Sequence, residues 1–338
     1  MRILAGIIGS LCVLLSIAPS TRAAELTPIK IGIVQTLAVG PIFVADERGY
    51  FRDEGLDAQI MFFDAAQPIA IAVASGDVDF GCGGMAAAFY SLAGQGVLRV
   101  IAAGNREMPG FKNAGYIASN RAYDAGFTSL KQLAGKSVVV TQIGSQLHYD
   151  LGLAAEKYGI DLKEIHIAAV QTNTNMSSAM AGGQADLGVF PVTPAMQLLT
   201  RGEAKLIAWV GDEVPYSQAN TAFTAAKIAN DKRDTVERFL RAFEKGARDY
   251  HDAFADAQEH RRDGPTADAV LALLAKYTQQ KPEDIRVAIP WLDAQLRLDS
   301  QDIRHQIEWF HDQGQMKAAV NAADIIDKRY VVPLPGRE

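Results

Sequence analysis

One ten-residue segment occurs twice, and that repetition limits the architectures open to this chain more than any other feature. Ala72-Val73-Ala74-Ser75-Gly76-Asp77-Val78-Asp79-Phe80-Gly81 returns 107 positions later as Ala179-Met180-Ala181-Gly182-Gly183-Gln184-Ala185-Asp186-Leu187-Gly188. Five of the ten residues are identical: Ala72, Ala74, Gly76, Asp79 and Gly81 reappear as Ala179, Ala181, Gly183, Asp186 and Gly188. Upstream, Lys30-Ile31-Gly32-Ile33-Val34 and Lys136-Ser137-Val138-Val139-Val140 each set a basic residue before an apolar strand, at an offset of 106. Two copies of one plan predict two similar halves. Each half reads as strand, loop, helix ending near a glycine (Gly55, Gly159), strand, short helix and then a Gly-x-x-Asp-x-Gly turn. β-Branched runs alternating with helices imply an α/β fold with a mostly parallel sheet covered on both faces. Gly76 and Gly183 stand where a helix end wants left-handed backbone. Asp79 and Asp186 open the following strand, either beside a ligand or as part of a plain helix-stop turn. Gly81 and Gly188 are expected to let the backbone approach something at the strand's carboxyl end, where open α/β sheets bind ligands.

The rest of the chain fits such a protein. With 338 residues, 49% hydrophobic and 21% charged, disorder, collagen and coiled coil are excluded, and at roughly 100–200 residues per domain two domains are expected. A net charge of −6 and no Lys/Arg run longer than a pair argue against a nucleic-acid partner. From Asp231 onward the texture becomes helical, with amphipathic stretches at Asp231–His260, at Thr266–Gln279 with Thr266 as N-cap, and at Asp299–Gln313 before Gly314. At the other end, Met1-Arg2, an apolar run from Ile3 to Ile17 and small residues up to Arg22-Ala23-Ala24-Glu25 read as a signal peptide over 1–24, cleaved after Ala23 or Ala24. The run is shorter than the roughly 20 residues of a membrane span, and no later segment is long and apolar enough to span. Leu11 before Cys12 is too large for a lipid-attachment site, so Cys82 is expected as the single mature cysteine, with no internal disulfide.

In this order the segments resemble a known family. They are Ile31-Gly32-Ile33 with Pro41 and Ala45; Gly49-Tyr50-Phe51 with Glu54-Gly55-Leu56; Ala74-Ser75-Gly76-Asp77-Val78-Asp79-Phe80-Gly81; Leu130-Lys131-Gln132-Leu133-Ala134-Gly135-Lys136-Ser137-Val138; Gly144-Ser145; and Gly183-Gln184-Ala185-Asp186. The chain resembles the periplasmic substrate-binding proteins of ABC transporters in the nitrate, taurine and aliphatic-sulfonate group, related to the pyrimidine-precursor binding proteins. The resemblance implies a two-lobed periplasmic binding protein fold (type II): two α/β lobes, each a mostly parallel sheet covered by helices, joined by two interlobe crossovers and closing on a ligand. Lobe one is expected at 25–118 plus 220–338 and lobe two at 119–219.

Strand ends then nominate the site. After the first strand come Gln35, Thr36, Leu37 and Gly40, after the second Asp64, Ala66 and Gln67, and after the third Gly83, Gly84 and Met85. Lobe two offers Gln142, Gly144, Ser145, Gln146 and His148, then Thr172, Asn173 and Thr174, then Phe190 and Thr193, with Asn220 at the return crossover. Helix N-termini expose unpaired N–H groups and a positive dipole end, so two of them facing one cleft favour an anion. Gly144-Ser145 is the sharpest candidate, against the plain alternative of an N-cap. Arg106 has the chemistry to pair with a carboxylate or sulfonate and reads equally as a solvated arginine; His148 reads equally as a helix-surface histidine. Phe43, Phe63 and Phe190 are candidates for an apolar wall or for core.

Enzymatic readings find less support. Gly81-Cys82-Gly83-Gly84-Met85-Ala86 fits the dinucleotide fingerprint, with Glu107 as a ribose acid, but its strand is very short and Gly188-Val189-Phe190-Pro191 lacks the pattern in the second copy. There is no Gly-x-Ser-x-Gly elbow and no His-x-x-x-His pair, and Cys82 has no histidine within sixty positions, so it reads as a small buried hydrophobe. The expectation is therefore a monomeric, periplasmic, cofactor-free and metal-free binding protein that captures a small organic anion and delivers it to an ABC transporter permease. The anion is a sulfonate or a carboxylate, with an aromatic one among the candidates. The rival readings are a secreted enzyme or ligand sensor on the same fold, or a binder of a pyrimidine or vitamin precursor.

Overall fold

The computed structural model describes residues 25–338; the signal peptide expected over 1–24 lies outside the described residues. Twelve strands are described in chain order: β1 (Thr27–Val34), β2 (Leu56–Phe63), β3 (Phe80–Gly84), β4 (Leu98–Ala103), β5 (Asn105–Arg106), β6 (Ala114–Ser119), β7 (Ser137–Val140), β8 (His166–Ala169), β9 (Leu187–Pro191), β10 (Ala204–Trp209), β11 (Asn220–Ala225) and β12 (Trp291–Leu292). They form two five-stranded sheets, ordered β2-β1-β3-β11-β4 and β8-β7-β9-β6-β10, and a small β5-β12 pair. The two orders are the same plan drawn twice, with β1, β2, β3 and β4 matching β7, β8, β9 and β10.

Each sheet has four strands running one way and one reversed. β1 is parallel to β2 and β3, whereas β11 is antiparallel to β3 and β4. In the second sheet β7 is parallel to β8 and β9, and β6 is antiparallel to β9 and β10. The reversed strand is in both cases the one that has just crossed from the other half, so it enters its sheet from the edge facing its partner. The sheets are thus mixed rather than purely parallel. Because β6 pairs within the second sheet, the first crossover runs between Ala103 and Ala114, upstream of the 118/119 boundary expected from sequence. The return crossover runs between Trp209 and Asn220.

The repeated turn has a structural reason in both copies. Gly76 caps the helix Ala66–Ser75 at φ 87°, and Gly183 takes φ 64° just after the helix Asn173–Ala181, conformations that glycine adopts without strain. The Asp79 carboxylate accepts from the Lys30 N–H at 2.9 Å and that of Asp186 from the Ser137 N–H at 2.9 Å, so each ties the start of its strand to the neighbouring one. That edge is opposite to the carboxyl ends, which removes both aspartates from any ligand. Gly81 and Gly188 make room for aromatic rings instead of a ligand: a Cβ at Gly81 would run into the Phe223 ring of β11, and one at Gly188 into Phe190.

The later helices follow the sequence pattern closely. The helix Arg233–Phe254 buries Val236, Phe239, Phe243 and Tyr250 against the first sheet's helices, with Phe239 stacked on Phe80 at 4.0 Å. The helix Ala267–Thr278 starts after Thr266, whose side chain makes no cap bond. The helix Ser300–Asp312 is capped by Asp299, whose carboxylate accepts from the Asp302 N–H. No described helix is long and apolar enough to cross a membrane.

Candidate ligand-binding site

A cavity of about 110 Å³ lies where the carboxyl ends of both sheets face each other. The ends of β1, β3 and β9 supply Val34, Gly83, Gly84 and Pro191, the loops after β2 and β7 supply Asp64, Thr141 and Gln142, and the first turns of the helices after β2 and β8 supply Gln67 and Asn173. The reversed strands enter at the same edge, so Ala114 of β6 and Asn220 of β11 complete the ring. The lobes touch around it. The Ala87 N–H donates to the Gly144 carbonyl at 2.8 Å, and the Leu37 N–H to Thr193 Oγ1 at 3.4 Å.

Of the residues nominated from sequence, Thr36, Asp64, Gln67, Gly83 and Gly84 line the cavity from the first half with Asn220. Gln142, Ser145, Gln146 and Asn173 line it from the second. Gln35, Thr172 and Thr174 line a shallower depression at its mouth together with Asp64 and Asn173. Thr172 caps the Asn173–Ala181 helix, and Gln35 Nε2 donates to the Tyr277 carbonyl.

The other candidates are placed elsewhere by their packing. Leu37 is buried core. Gly40 opens a helix against Tyr250, and Phe43 stacks on Tyr277 at 4.4 Å. Met85 is fully buried and receives the Thr221 hydroxyl on its sulfur, while Phe190 fills the space above Gly188. Phe63 is half-buried against the apolar cluster beneath the first sheet and also lines the depression at the cavity mouth with Gln35 and Thr172. Gly144 adopts φ 78° and donates its N–H to His148 Nδ1 at 3.1 Å. His148 is buried edge-on to Trp309, and burial lowers its pKa to about 4, so the ring is a neutral acceptor for that amide. Thr193 bonds the Leu37 amide. Arg106 lies behind the crossover, its guanidinium 4.7 Å over Trp291 and 3.6 Å from Asp293, because β5 pairs with β12 and turns the side chain away from the cavity.

The functionally interesting residues that sequence reading passed over are Asp150 and Asn113. Asp150 lines the cavity from the second turn of the helix Gln146–Lys157, is 1% exposed, and accepts from Gln146 Nε2 at 3.2 Å. Burial pushes its carboxyl up to about 8. Behind it, burial and the nearby Asp150 charge also raise Glu107, a buried acid of the first crossover held by Asn113 Nδ2. The Glu107 backbone joins the two crossovers, donating to the Ser217 carbonyl and accepting from the Tyr216 N–H. Cys82 lines the cavity too, but burial raises its thiol and no histidine lines the cavity with it, so nothing there makes it a nucleophile. The dinucleotide fingerprint fails on geometry: its glycines lie within β3, hydrogen-bonded to β11, rather than in a turn opening a helix. Among the described residues no cluster of three His, Cys, Asp or Glu side chains could hold a metal ion.

Comparison with known proteins agrees with this architecture. The alkanesulfonate-binding protein SsuA from Xanthomonas axonopodis pv. citri, bound to MOPS, is similar at a TM-score of 0.71 and 18% identity, over 90% of this chain and 99% of that one. The periplasmic nitrate-binding protein NrtA from Synechocystis PCC 6803 is similar at 0.71 and 11% identity, over 90% and 87% of the two chains. A protein of Brucella abortus (strain 2308) described only as a binding protein is 27% identical over 244 residues, 71% of this chain and 72% of its own length. The NMT1/THI5-like family profile matches residues 37–257, most of the first half, the whole second half and the start of the helical region, and by that match this chain belongs to the NMT1/THI5-like family.

Proposed function

We propose that the protein is a periplasmic solute-binding protein that captures a small organic solute between its two halves and hands it to an ABC transporter permease, acting as a monomer. The observation that carries this reading is the cavity itself, ringed by the carboxyl ends of both sheets and bridged by contacts between the halves. Ligands of open α/β sheets bind at that edge, and the named neighbours bind sulfonate-type and nitrate ligands on the same architecture. An acidic group on the solute is supported by the helix Ala66–Ser75, which begins at the cavity with no side-chain cap, leaving its first N–H groups free for a ligand oxygen.

A thermal-shift screen of the purified protein against sulfonates, carboxylates, nitrate, amino acids and pyrimidine precursors tests the reading. A true solute at about 100 times its Kd adds roughly 2.7 kcal/mol of stability and is recovered chemically unchanged. Recovery of a converted product, lost in Cys82→Ala, would replace the transport reading with an enzymatic one.

A further inference from the structure

The cavity has acceptors to spare and no cationic side chain among its described lining residues. Asp150 Oδ2, Gln146 Oε1 and Asn173 Oδ1 are all buried without a hydrogen-bond partner, and all three belong to the wall supplied by the second half. Asp150 is 1% exposed and Gln146 8%. The Gln146 orientation follows from its partner: Nε2 donates to Asp150 Oδ1, which leaves Oε1 as the free acceptor. Gln146 Oε1 and Asn173 Oδ1 are buried acceptors as they stand, and Asp150 Oδ2 becomes one when its carboxyl ionises; such acceptors are costly unless something donates to them. Two of them sit one helical turn apart on one face.

From this arrangement we infer that the solute presents a protonated nitrogen, of amine or amidine type, to Asp150, with further N–H donation to Gln146 and Asn173. The inference rests on the reading of this cavity as the solute site and adds the chemistry of one end of the solute.

The step balances in protons. Among the described residues no cationic side chain faces Asp150: the ionisable groups packed around it are Glu107 from the first crossover, Asp302 from the Ser300–Asp312 helix, Tyr116 from β6 and Tyr149 from its own helix. Tyr116 donates to the Asp150 backbone carbonyl rather than to its carboxyl, and Tyr149 bonds Asp302 and His305. Alone, the buried carboxyl keeps its proton. When a cationic nitrogen arrives, the carboxyl ionises to pair with it and one proton leaves to solvent, so affinity rises with pH as that release becomes easier.

Acetamidine, acetamide and acetate test this directly, because they share one shape and differ in charge. Binding is followed by NMR on protein labelled with ¹³C at aspartate carboxyls. Acetamidine is expected to bind at least tenfold more tightly than either analogue at pH 8, with a smaller margin at pH 6. The margin should vanish in Asp150→Asn. In the wild-type protein, saturation with acetamidine at pH 7 should move the Asp150 carboxyl signal to the ionised position, a readout that does not depend on the variant folding. Acetate binding as well as acetamidine, a margin that survives Asp150→Asn, or an unmoved carboxyl signal overturns the inference while leaving the cavity reading in place. If none of the three perturbs any cavity residue, the cavity reading itself is overturned.

Discussion

Asp150 shows what a single residue's surroundings do to its chemistry. An acid four positions after Gln146 inside a helix reads in sequence as part of a solvated face, and the search along the strand-end loops passed it by. Only the fold reveals that this face of the helix turns into the cavity and is 1% exposed at Asp150. The consequence is measurable in the protein without ligand. The folded carboxyl is raised to about 8 by burial, against about 4 in an unfolded chain. Between those values the folded state holds a proton that the unfolded state has lost, so the contribution of Asp150 to stability is greatest below pH 4 and falls as pH rises toward 8. Urea unfolding at pH 5 and pH 8 should therefore show Asp150→Asn gaining on the wild type as pH rises, by up to about 1.4 kcal/mol per pH unit. Parallel stability profiles for the two proteins would show that Asp150 titrates normally. Ser145 marks the opposite case. It was legible because Gly-Ser before a helix has a local signature, and its hydroxyl accepts from the His148 N–H at 3.3 Å as an N-cap while lining the cavity.

At the scale of one element, β3 shows how far a sequence pattern reaches. Gly81 announced a close approach and makes one, but to an aromatic ring rather than at the ligand edge where the sequence placed it. The partner of Gly81 is a phenylalanine from β11, a strand about 140 positions away, and no local signal carries that pairing. Gly83, two residues on, points the same way yet meets only ordinary contacts, with Ile69 at 3.5 Å and Ala66 at 3.8 Å, and it lines the cavity. The two positions should therefore respond differently to the same substitution. Gly81→Ala drives a methyl group into the Phe223 ring and is expected to cost about 1–3 kcal/mol of stability, the usual scale for overpacking. Gly83→Ala should leave stability within about 1 kcal/mol and instead weaken solute affinity tenfold or more by occupying cavity space. Urea midpoints and calorimetric titration on both variants check this, and a Gly83→Ala protein that binds normally would move the solute away from β3. Repeats and caps were thus readable because they are local, whereas ring-on-glycine contacts are made by topology.

For the whole molecule, the duplicated plan was legible because each half repeats a local order of strands and turns. What holds the halves together was not, since it is built by the third amphipathic stretch. The helix Ser300–Asp312 reaches both the return crossover and the second half: Asp302 accepts from the Gln218 N–H at 2.7 Å, Gln306 donates to the Gln218 carbonyl at 2.8 Å, and the Trp309 ring packs against Gly152 of the Gln146–Lys157 helix. A Cβ on Gly152 would overlap the Trp309 ring, so in Gly152→Ala the ring or the helix that carries it has to move away, and separation of the two helices is the expected outcome. Gly152 is absent from the cavity lining, which separates any effect on the halves from a direct effect on solute. If solute binds the closed arrangement, the apparent Kd rises in proportion as that arrangement becomes less populated. Gly152→Ala should therefore weaken solute binding several-fold and enlarge the radius of gyration of the ligand-free protein, while saturating solute restores the wild-type radius by hinge closure. X-ray scattering with and without solute measures both effects. An altered radius with unchanged affinity would show that the Trp309 contact does not control closure, and an unchanged radius in both proteins on adding solute would show that binding requires no hinge motion.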